Sequence, residues 1–372
     1  MRPDAVPHSA TDAGETPVRL LMLSWRGPTH PAAGGAERYT AEVLQRLAHR
    51  GHAITWFCEG PQTHLPGVQV VGGGPLPGLV LAGRRFARRH RREVDLVIDQ
   101  INVVGFLTPF AFPIPHLALI HQRAADIWPH DRLWWRRRLG PRWEDWMLSR
   151  YRRSSFITVS RTTLADLRGE GWAGPGYVAY NGVRLSDRPR PRKEPVPTLV
   201  FLARLNAPGK RVGDAIAVHR QVRCQVPDAE LWVIGRGTPP PAAPPGVRFF
   251  PDADDALRDD LLARAWLLIA TSVREGWGRM ILEAAACGTP CAVYGTPGLA
   301  EAAQAVEGTV TGANPDALAG AVVRLLRAPD QLRQAGARAR LLAGGFTWER
   351  AADVWEIAMA TTVGRPPRIP VT

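Results

Sequence analysis

The stretch REGWGRMILEAAACGTP, residues 274–290, sets two carboxylates, Glu275 and Glu283, eight positions apart with a Gly-Trp-Gly turn directly after the first. One acid precedes the turn and the other lies inside the helix that the turn starts. Taken alone, the pair reads equally as a functional pair and as a loop acid, Glu275, beside a solvated helix acid, Glu283. Its flanks say more. WLLIAT, residues 266–271, runs into it and PCAVY, residues 290–294, follows it, so the segment is a short apolar strand, a glycine turn, a helix and another strand. That alternation is the signature of a parallel α/β sheet, whose ligands collect at the carboxyl ends of the strands.

Working outward, the same alternation fills the chain twice. VRLLML, AITWFC, VDLVI, LALI and FITV are separated by helix-length segments in the first half, and TLVFLA, ELWVI and VRFF precede WLLIAT and PCAVY in the second. Between the halves lies RLSDRPRPRKEPVP, residues 184–197, whose four prolines and dense charge mark a linker. The expected organisation is a disordered lead-in at 1–17, an N-terminal Rossmann-like domain at 18–187 and a second at 188–345. Residues 346–372 are expected to pack back on the first domain. The fold class is α/β: two doubly wound domains facing each other across a cleft that takes the ligand.

Composition agrees with two cores: 372 residues are 45% hydrophobic and 22% charged. The first residues carry no apolar run of signal-peptide length, so a cytoplasmic protein is expected. The most apolar region, residues 96–120, is broken by Asp99, Gln100, Asn102 and several prolines, which makes it poor material for a membrane span. Four cysteines, Cys58, Cys224, Cys287 and Cys291, are too scattered for a disulfide framework and lack the further ligands of a zinc site, so buried reduced thiols are expected.

The formal net charge of +13 points to an anionic partner. Arginine is dense at residues 84–93 and again at 131–153, where Arg136, Arg137 and Arg138 are interleaved with Trp134, Trp135, Trp143 and Trp146. Rings and guanidinium groups together suit a lipid headgroup interface. The competing reading packs these tryptophans into the first domain's core or around a soluble acceptor. A nucleic-acid partner is not expected, because no stacking or groove-reading motif accompanies the charge.

Each half opens with a device suited to phosphate. Gly34 and Gly35 follow the first strand and precede a helix with Tyr39, Val43, Leu44 and Leu47 on one face, so bare N–H groups and a helix N-terminus meet at a strand end, unless the pair merely permits a turn. Their spacing is not the dinucleotide fingerprint. In the second half Arg204 ends a strand and Lys210 lies in the loop after it, two cations able to neutralise a diphosphate. The Asp252-Ala253-Asp254 sequence imitates a metal-binding Asp-x-Asp, but it precedes a helical stretch and reads as a cap.

These motifs carry a resemblance. GGAER, RLNAPGKR, VIGRG and EGWGRMILEAAACGTP, in that order, resemble the retaining family-four glycosyltransferases. VSRTTLADL followed by YNGV is similar to the end of that family's first domain. The resemblance implies the GT-B architecture, with Glu275 meeting hydroxyls of a donor sugar and Glu283 the ribose of its nucleotide. It implies further that Gly276, Trp277, Gly278, Met280 and Ile281 lie along the donor, and that Gly235, Arg236 and Phe250 line the base pocket. Arg204 and Lys210 would hold the diphosphate and stabilise the charge that develops on it, with Gly34 and Gly35 approaching from the opposite domain. His121, directly after LALI, would sit near the transferred sugar, and Asp126 is a weaker candidate on the acceptor side. Two departures stand out: the loop from Arg204 to Lys210 is one residue longer than the commonest spacing, and Arg184 stands where an aspartate often follows NGV.

The function implied is transfer of a sugar with retained anomeric configuration. The donor is expected to be a UDP-sugar ahead of a GDP-sugar, and the acceptor a hydroxyl of a glycan, a lipid-linked or a natural-product molecule. Neither metal nor cofactor is implied, the nucleotide-sugar being a co-substrate. An anionic membrane surface on the inner face is an expected partner. The alternatives are a nucleotide-sugar epimerase or phosphorylase on the same scaffold and, more remotely, a polyanion-binding protein.

Overall fold

The structure, a computed structural model, describes residues 17–76, 78–111, 113–124, 128–130, 133–186, 191–239 and 242–365. Residues 1–16 of the expected lead-in lie outside the described residues.

The first sheet is built from β1 (Arg19–Arg26), β2 (Ala53–Glu59), β3 (His64–Leu65), β4 (Val68–Gly72), β5 (Leu96–Ile101), β6 (His116–Ile120), β7 (Ser155–Thr158) and β8 (Gly176–Val178). Its spatial order is β3-β4-β2-β1-β5-β6-β7-β8, and every pairing is parallel except the β3–β4 hairpin. Helices α1 (Gly35–His49), α2 (Gly78–Arg89), α3 (Trp134–Ser149) and α4 (Arg161–Gly169) connect these strands. Central strands are covered on both faces, which is why they read as unbroken apolar runs: all six residues of β5 are buried.

The second sheet is parallel throughout, ordered β11-β10-β9-β12-β13-β14. Its strands are β9 (Thr198–Leu202), β10 (Glu230–Ile234), β11 (Val247–Phe250), β12 (Leu267–Ala270), β13 (Cys291–Tyr294) and β14 (Thr309–Thr311). The helices of this half are α5 (Val212–Arg223), α6 (Asp255–Arg264), α7 (Arg279–Ala286), α8 (Leu299–Ala305), α9 (Pro315–Leu326) and α10 (Pro329–Ala343).

The last helix, α11 (Trp348–Val363), leaves the second sheet and lies on the first. Its face of Trp348, Ala351, Ala352, Trp355, Ala358 and Met359 is buried. The Trp355 indole donates to the Tyr39 hydroxyl at 2.9 Å, and that hydroxyl donates to the Ala179 carbonyl at 3.0 Å. Arg50 completes the clasp with ion pairs to Glu349, Asp353 and Glu356 at 2.7–3.0 Å.

Two sequence expectations change here. Cys224 is exposed and Cys287 only partly buried, whereas Cys58 and Cys291 are buried. The tryptophans of α3 do not enter the core. The helix buries Gly140, Glu144, Met147 and Leu148, and leaves Trp134 68%, Trp135 46%, Trp143 46% and Trp146 43% exposed. Among the described residues no helix is long and apolar enough to cross a membrane.

Candidate active site at the interdomain cleft

The carboxyl ends of the two sheets meet where the turn after β12 touches the residue after β6. A Cβ built on Gly276 would lie 2.6 Å from the His121 carbonyl oxygen, inside any real contact distance, so only glycine lets the two domains approach here. Gly278 closes the turn at φ +53° and starts α7. Between these glycines the Trp277 ring is buried, with its centroid 4.3 Å from Tyr180 and 5.5 Å from Phe346. The structure thus gives Trp277 to the seam between the domains, where its indole N–H has no hydrogen-bond partner among the described residues.

Glu275 is held by its backbone: its N–H donates to the Pro297 carbonyl at 3.0 Å. Its carboxylate, 12% exposed, forms an ion pair with the Lys210 ammonium. Lys210 is placed by a 3₁₀ turn, Pro208–Lys210, and its carbonyl accepts from the Thr271 hydroxyl at 3.0 Å. The loop that is one residue longer than the commonest spacing still brings this lysine to the first acid. One turn into α7, the Glu283 carboxylate lies 3.3 Å from Arg279 Nε and 3.9 Å from an Arg258 nitrogen. Met280 stands in the first turn, while Ile281 is fully buried in the second core with its N–H committed to the Gly278 carbonyl at 2.8 Å. Its side chain is core packing.

Arg204 lies exposed just after β9. Gly235 follows β10 and donates its N–H to the Phe250 carbonyl at 3.1 Å, and Arg236, exposed, accepts from the Leu205 N–H at 2.9 Å, so these three residues border the loop that carries Arg204. Asp254 caps α6, accepting from the Leu257 N–H at 2.7 Å, as its position before a helix implied. Among the described residues no group of three or more His, Cys, Asp or Glu is placed to hold a metal ion.

From the first domain, Gly34 donates its N–H to Glu37 Oε2 at 2.7 Å, so that amide serves the cap of α1. Gly35 opens on free space: a Cβ there would meet nothing within 4 Å. His121 is edge-on to Tyr39 at 5.1 Å between centroids, with Nε2 3.1 Å from Gln100 Nε2. The Thr40 hydroxyl donates to Gln100 Oε1 at 3.0 Å, which turns the amide NH₂ toward the imidazole. His121 Nε2 therefore accepts and Nδ1 carries the hydrogen. Burial lowers its pKa to about 4, so the ring is neutral at pH 7 and offers an N–H donor rather than a free base. Asp126 lies outside the described residues.

Several cleft residues escaped the sequence reading. Glu301 of α8 reaches the first domain and accepts from the Arg161 and Thr162 N–H groups at 2.9 and 2.8 Å, capping α4, and from the Tyr180 hydroxyl at 3.1 Å. Arg38 spans the cleft to Asp255 in a two-pronged pair at 2.8 and 2.9 Å, and Arg274 pairs with Asp166 at 2.7 Å. Arg38 was in view inside GGAER. Glu301 had no local signal, because its partners lie about 140 positions earlier.

Two face-to-face parallel α/β sheets with acids and cations at their carboxyl ends define a nucleotide-binding transferase scaffold. The family profile described as Glycosyltransferase Family 4 matches residues 33–187, and that described as Glycosyl transferases group 1 matches residues 196–328. Between them they span most of both domains, and the chain belongs to the family-four glycosyltransferases. It is 33% identical over 199 residues to a phosphatidyl-myo-inositol mannosyltransferase of Propionibacterium freudenreichii, covering 50% of this chain and 51% of that protein. It is 38% identical over 104 residues to a GDP-mannose-dependent alpha-(1-6)-phosphatidylinositol dimannoside mannosyltransferase of Mycobacterium tuberculosis, covering 28% of this chain and 26% of that protein. The chain thus spans about half or less of the length of these relatives. A sucrose-phosphate synthase structure from Thermosynechococcus elongatus superposes with a TM-score of 0.72 at 19% identity, covering 90% of this chain and 96% of that one, which establishes the GT-B fold.

Proposed function

We propose that the chain is a retaining glycosyltransferase that moves a sugar from a nucleoside diphosphate to an acceptor hydroxyl. The observation that carries this reading is the meeting of Lys210 and Glu275 at the carboxyl end of the second sheet, with Glu283 one turn into the helix that follows and a neutral His121 on the first domain. Lys210 and Arg204 take the diphosphate, which releases the Glu275 carboxylate from its ion pair to hold sugar hydroxyls, and Glu283 accepts from the ribose. The C1–O bond to the diphosphate breaks, the acceptor oxygen bonds C1 on the same face, and the acceptor proton passes to the departing phosphate oxygen. The cations stabilise the charge as it appears, so no metal takes part. His121 donates Nδ1–H to an oxygen of the transferred sugar.

The relative named as GDP-mannose-dependent supports a GDP-sugar, and UDP-sugars are the comparison. Thermal protection by UDP-, GDP- and dTDP-sugars identifies the donor, and proton NMR of the product reads its anomeric configuration. An inverted signal, or activity abolished by EDTA and restored by manganese, overturns the mechanism. No protection by any nucleotide overturns the donor site.

The acceptor side faces a cytoplasmic membrane surface in this reading. Exposed Trp134, Trp135, Trp143 and Trp146 share α3 with Arg136, Arg137 and Arg138, and each basic residue contributes about 1 kcal/mol near anionic headgroups. Sedimentation with anionic vesicles, weakened by salt and by Trp134→Ala with Trp135→Ala, is the expected result. A protein that stays in the supernatant at low salt refutes it.

A further inference from the structure

Arg26 is a cation whose surroundings are those of a ligand-bearing group. Arg26 ends β1, so its side chain starts at the carboxyl edge of the first sheet. Its guanidinium carbon sits 4.1 Å from the Trp25 ring centroid, and Nη1 reaches the Ala32 carbonyl at 3.3 Å. Nε is wholly buried and has no hydrogen-bond partner among the described residues. The arginines that bridge the domains elsewhere are neutralised: Arg38 by Asp255, Arg274 by Asp166. Arg26 has no such carboxylate within ion-pair distance among the described residues. The two acids whose charges reach it are engaged elsewhere, Glu37 by the Gly34 N–H at 2.7 Å and Glu59 by the Trp25 indole at 2.7 Å.

The second-domain cation whose charge reaches Arg26 is Arg204, exposed just after β9 at the carboxyl end of the second sheet. Burial first, and then Arg204, lower the Arg26 pKa against the pull of Glu37 and Glu59. Two guanidinium groups within reach of each other's charge repel, and a buried Nε–H without an acceptor costs free energy. The repulsion is relieved when an oxyanion with several acceptor atoms lies between them. Around that position Trp25 offers an aromatic face, and Glu59, with His30 3.8 Å from its other oxygen, offers hydroxyl-binding groups.

We propose that Arg26 is a phosphoryl ligand, contributed by the first domain, which with Arg204 holds a phosphate-class oxyanion between the domains. This rests on the proposed function only for the source of the anion, which is the nucleotide diphosphate or a phosphate on the acceptor. The two are separable without any transfer assay. Calorimetry on the full chain compares UDP and GDP with uridine and guanosine, and inorganic pyrophosphate with inorganic phosphate added at saturating nucleotide. Wild type, Arg26→Gln, Arg26→Lys, Arg204→Gln and the double glutamine variant are measured.

If the anion is the diphosphate, Arg26→Gln weakens UDP or GDP and pyrophosphate about tenfold or more and leaves the nucleosides unchanged, with partial recovery in Arg26→Lys. If the anion belongs to the acceptor, nucleotide affinity stays put. Inorganic phosphate then protects wild type but not Arg26→Gln in the nucleotide complex. In either case the double variant loses less than the product of the single losses, because both groups hold one anion. That coupling also separates a ligand role from damage to folding, which the unligated melting temperature reports. Affinities within twofold of wild type for every anion in Arg26→Gln overturn the inference while leaving the glycosyltransferase reading intact. Pyrophosphate binding lost with Arg26, in a protein that binds no nucleoside, does the reverse.

Discussion

The two sides of the cleft are built in opposite ways. On the second domain the chemistry is largely local: Glu275, the glycine turn and Glu283 come from one strand–turn–helix unit, and Arg204 and Lys210 come from one earlier loop. On the first domain it is assembled at long range. His121 is set by Gln100 from the neighbouring strand and by Thr40 and Tyr39 from α1, and Asp99 ties down the loop after β5. That loop is backed by Asp99, which accepts from the Phe106 and Thr108 N–H groups and from the Tyr151 hydroxyl, and it carries Val103 at φ +68° and Leu107 at φ +54°. A β-branched residue held left-handed costs free energy that the surrounding contacts must offset. A local site keeps its geometry when neighbours change; a dispersed one depends on packing.

The sharpest test of the local side is Glu275→Ala. Removing a carboxylate that holds the transferred sugar is expected to lower kcat by about a hundredfold or more, with nucleotide affinity retained. Steady-state kinetics checks it, and an unchanged kcat breaks the claim that this acid belongs to the transition state. Gly276→Ala comes next. Its Cβ would lie 2.6 Å from the His121 carbonyl, and backbone cannot yield as a flexible side chain can, so the domains must part. We expect about a tenfold or greater loss of kcat/KM with little loss of nucleotide binding. Wild-type kinetics in this variant would mean that the two sides need not touch.

This contrast also explains what was legible in sequence. Every apolar run read as a strand is one, and REGWGRMILEAAACGTP displays its turn, helix and acids in order because they are neighbours along the chain. The strands that went unread, β3, β4, β8 and β14, lie at or beside sheet edges, where fewer buried neighbours demand apolar residues: β8 is only Gly-Tyr-Val and β14 only Thr-Val-Thr. Asp99 was noted merely as an interruption of an apolar stretch, although it is the fully buried anchor of a loop. Its partners lie 7 to 52 positions away, and no periodicity reports such a pairing. Ile281 lies within the same motif with its side chain buried, because the motif's helix needs a buried face as well as a ligand face.

Glu283→Gln sharpens the local side further. The amide keeps the size and one acceptor but removes the charge that Arg279 and Arg258 balance. Nucleotide affinity is expected to fall about tenfold, with kcat for bound donor nearly preserved. Calorimetry with UDP and GDP checks this, and a kcat loss as large as that of Glu275→Ala would erase the division of labour between the acids.

The smallest expected effect probes the dispersed side through pH. Burial raises the Asp99 carboxyl from its ordinary 3.8 to about 6, outweighing the hydrogen bonds that favour its charged form. The folded state therefore binds more protons than the unfolded chain between those two values. Stability from this group is present in full below 3.8 and is lost as the pH rises through about 6. His121 has the opposite slope. Lowered from 6.5 to about 4, it contributes stability that is complete above 6.5 and falls away on acidification toward 4. The wild-type profile superimposes both, and Asp99→Asn isolates one. Asparagine supplies a single acceptor where Asp99 serves three donors, so the variant carries a pH-independent cost. Because the amide does not titrate, the difference between variant and wild type should nevertheless shift in the variant's favour between pH 4 and pH 7. Urea midpoints at these two pH values measure that shift, and a constant difference would mean that Asp99 is already ionised throughout, with its three donors outweighing its burial.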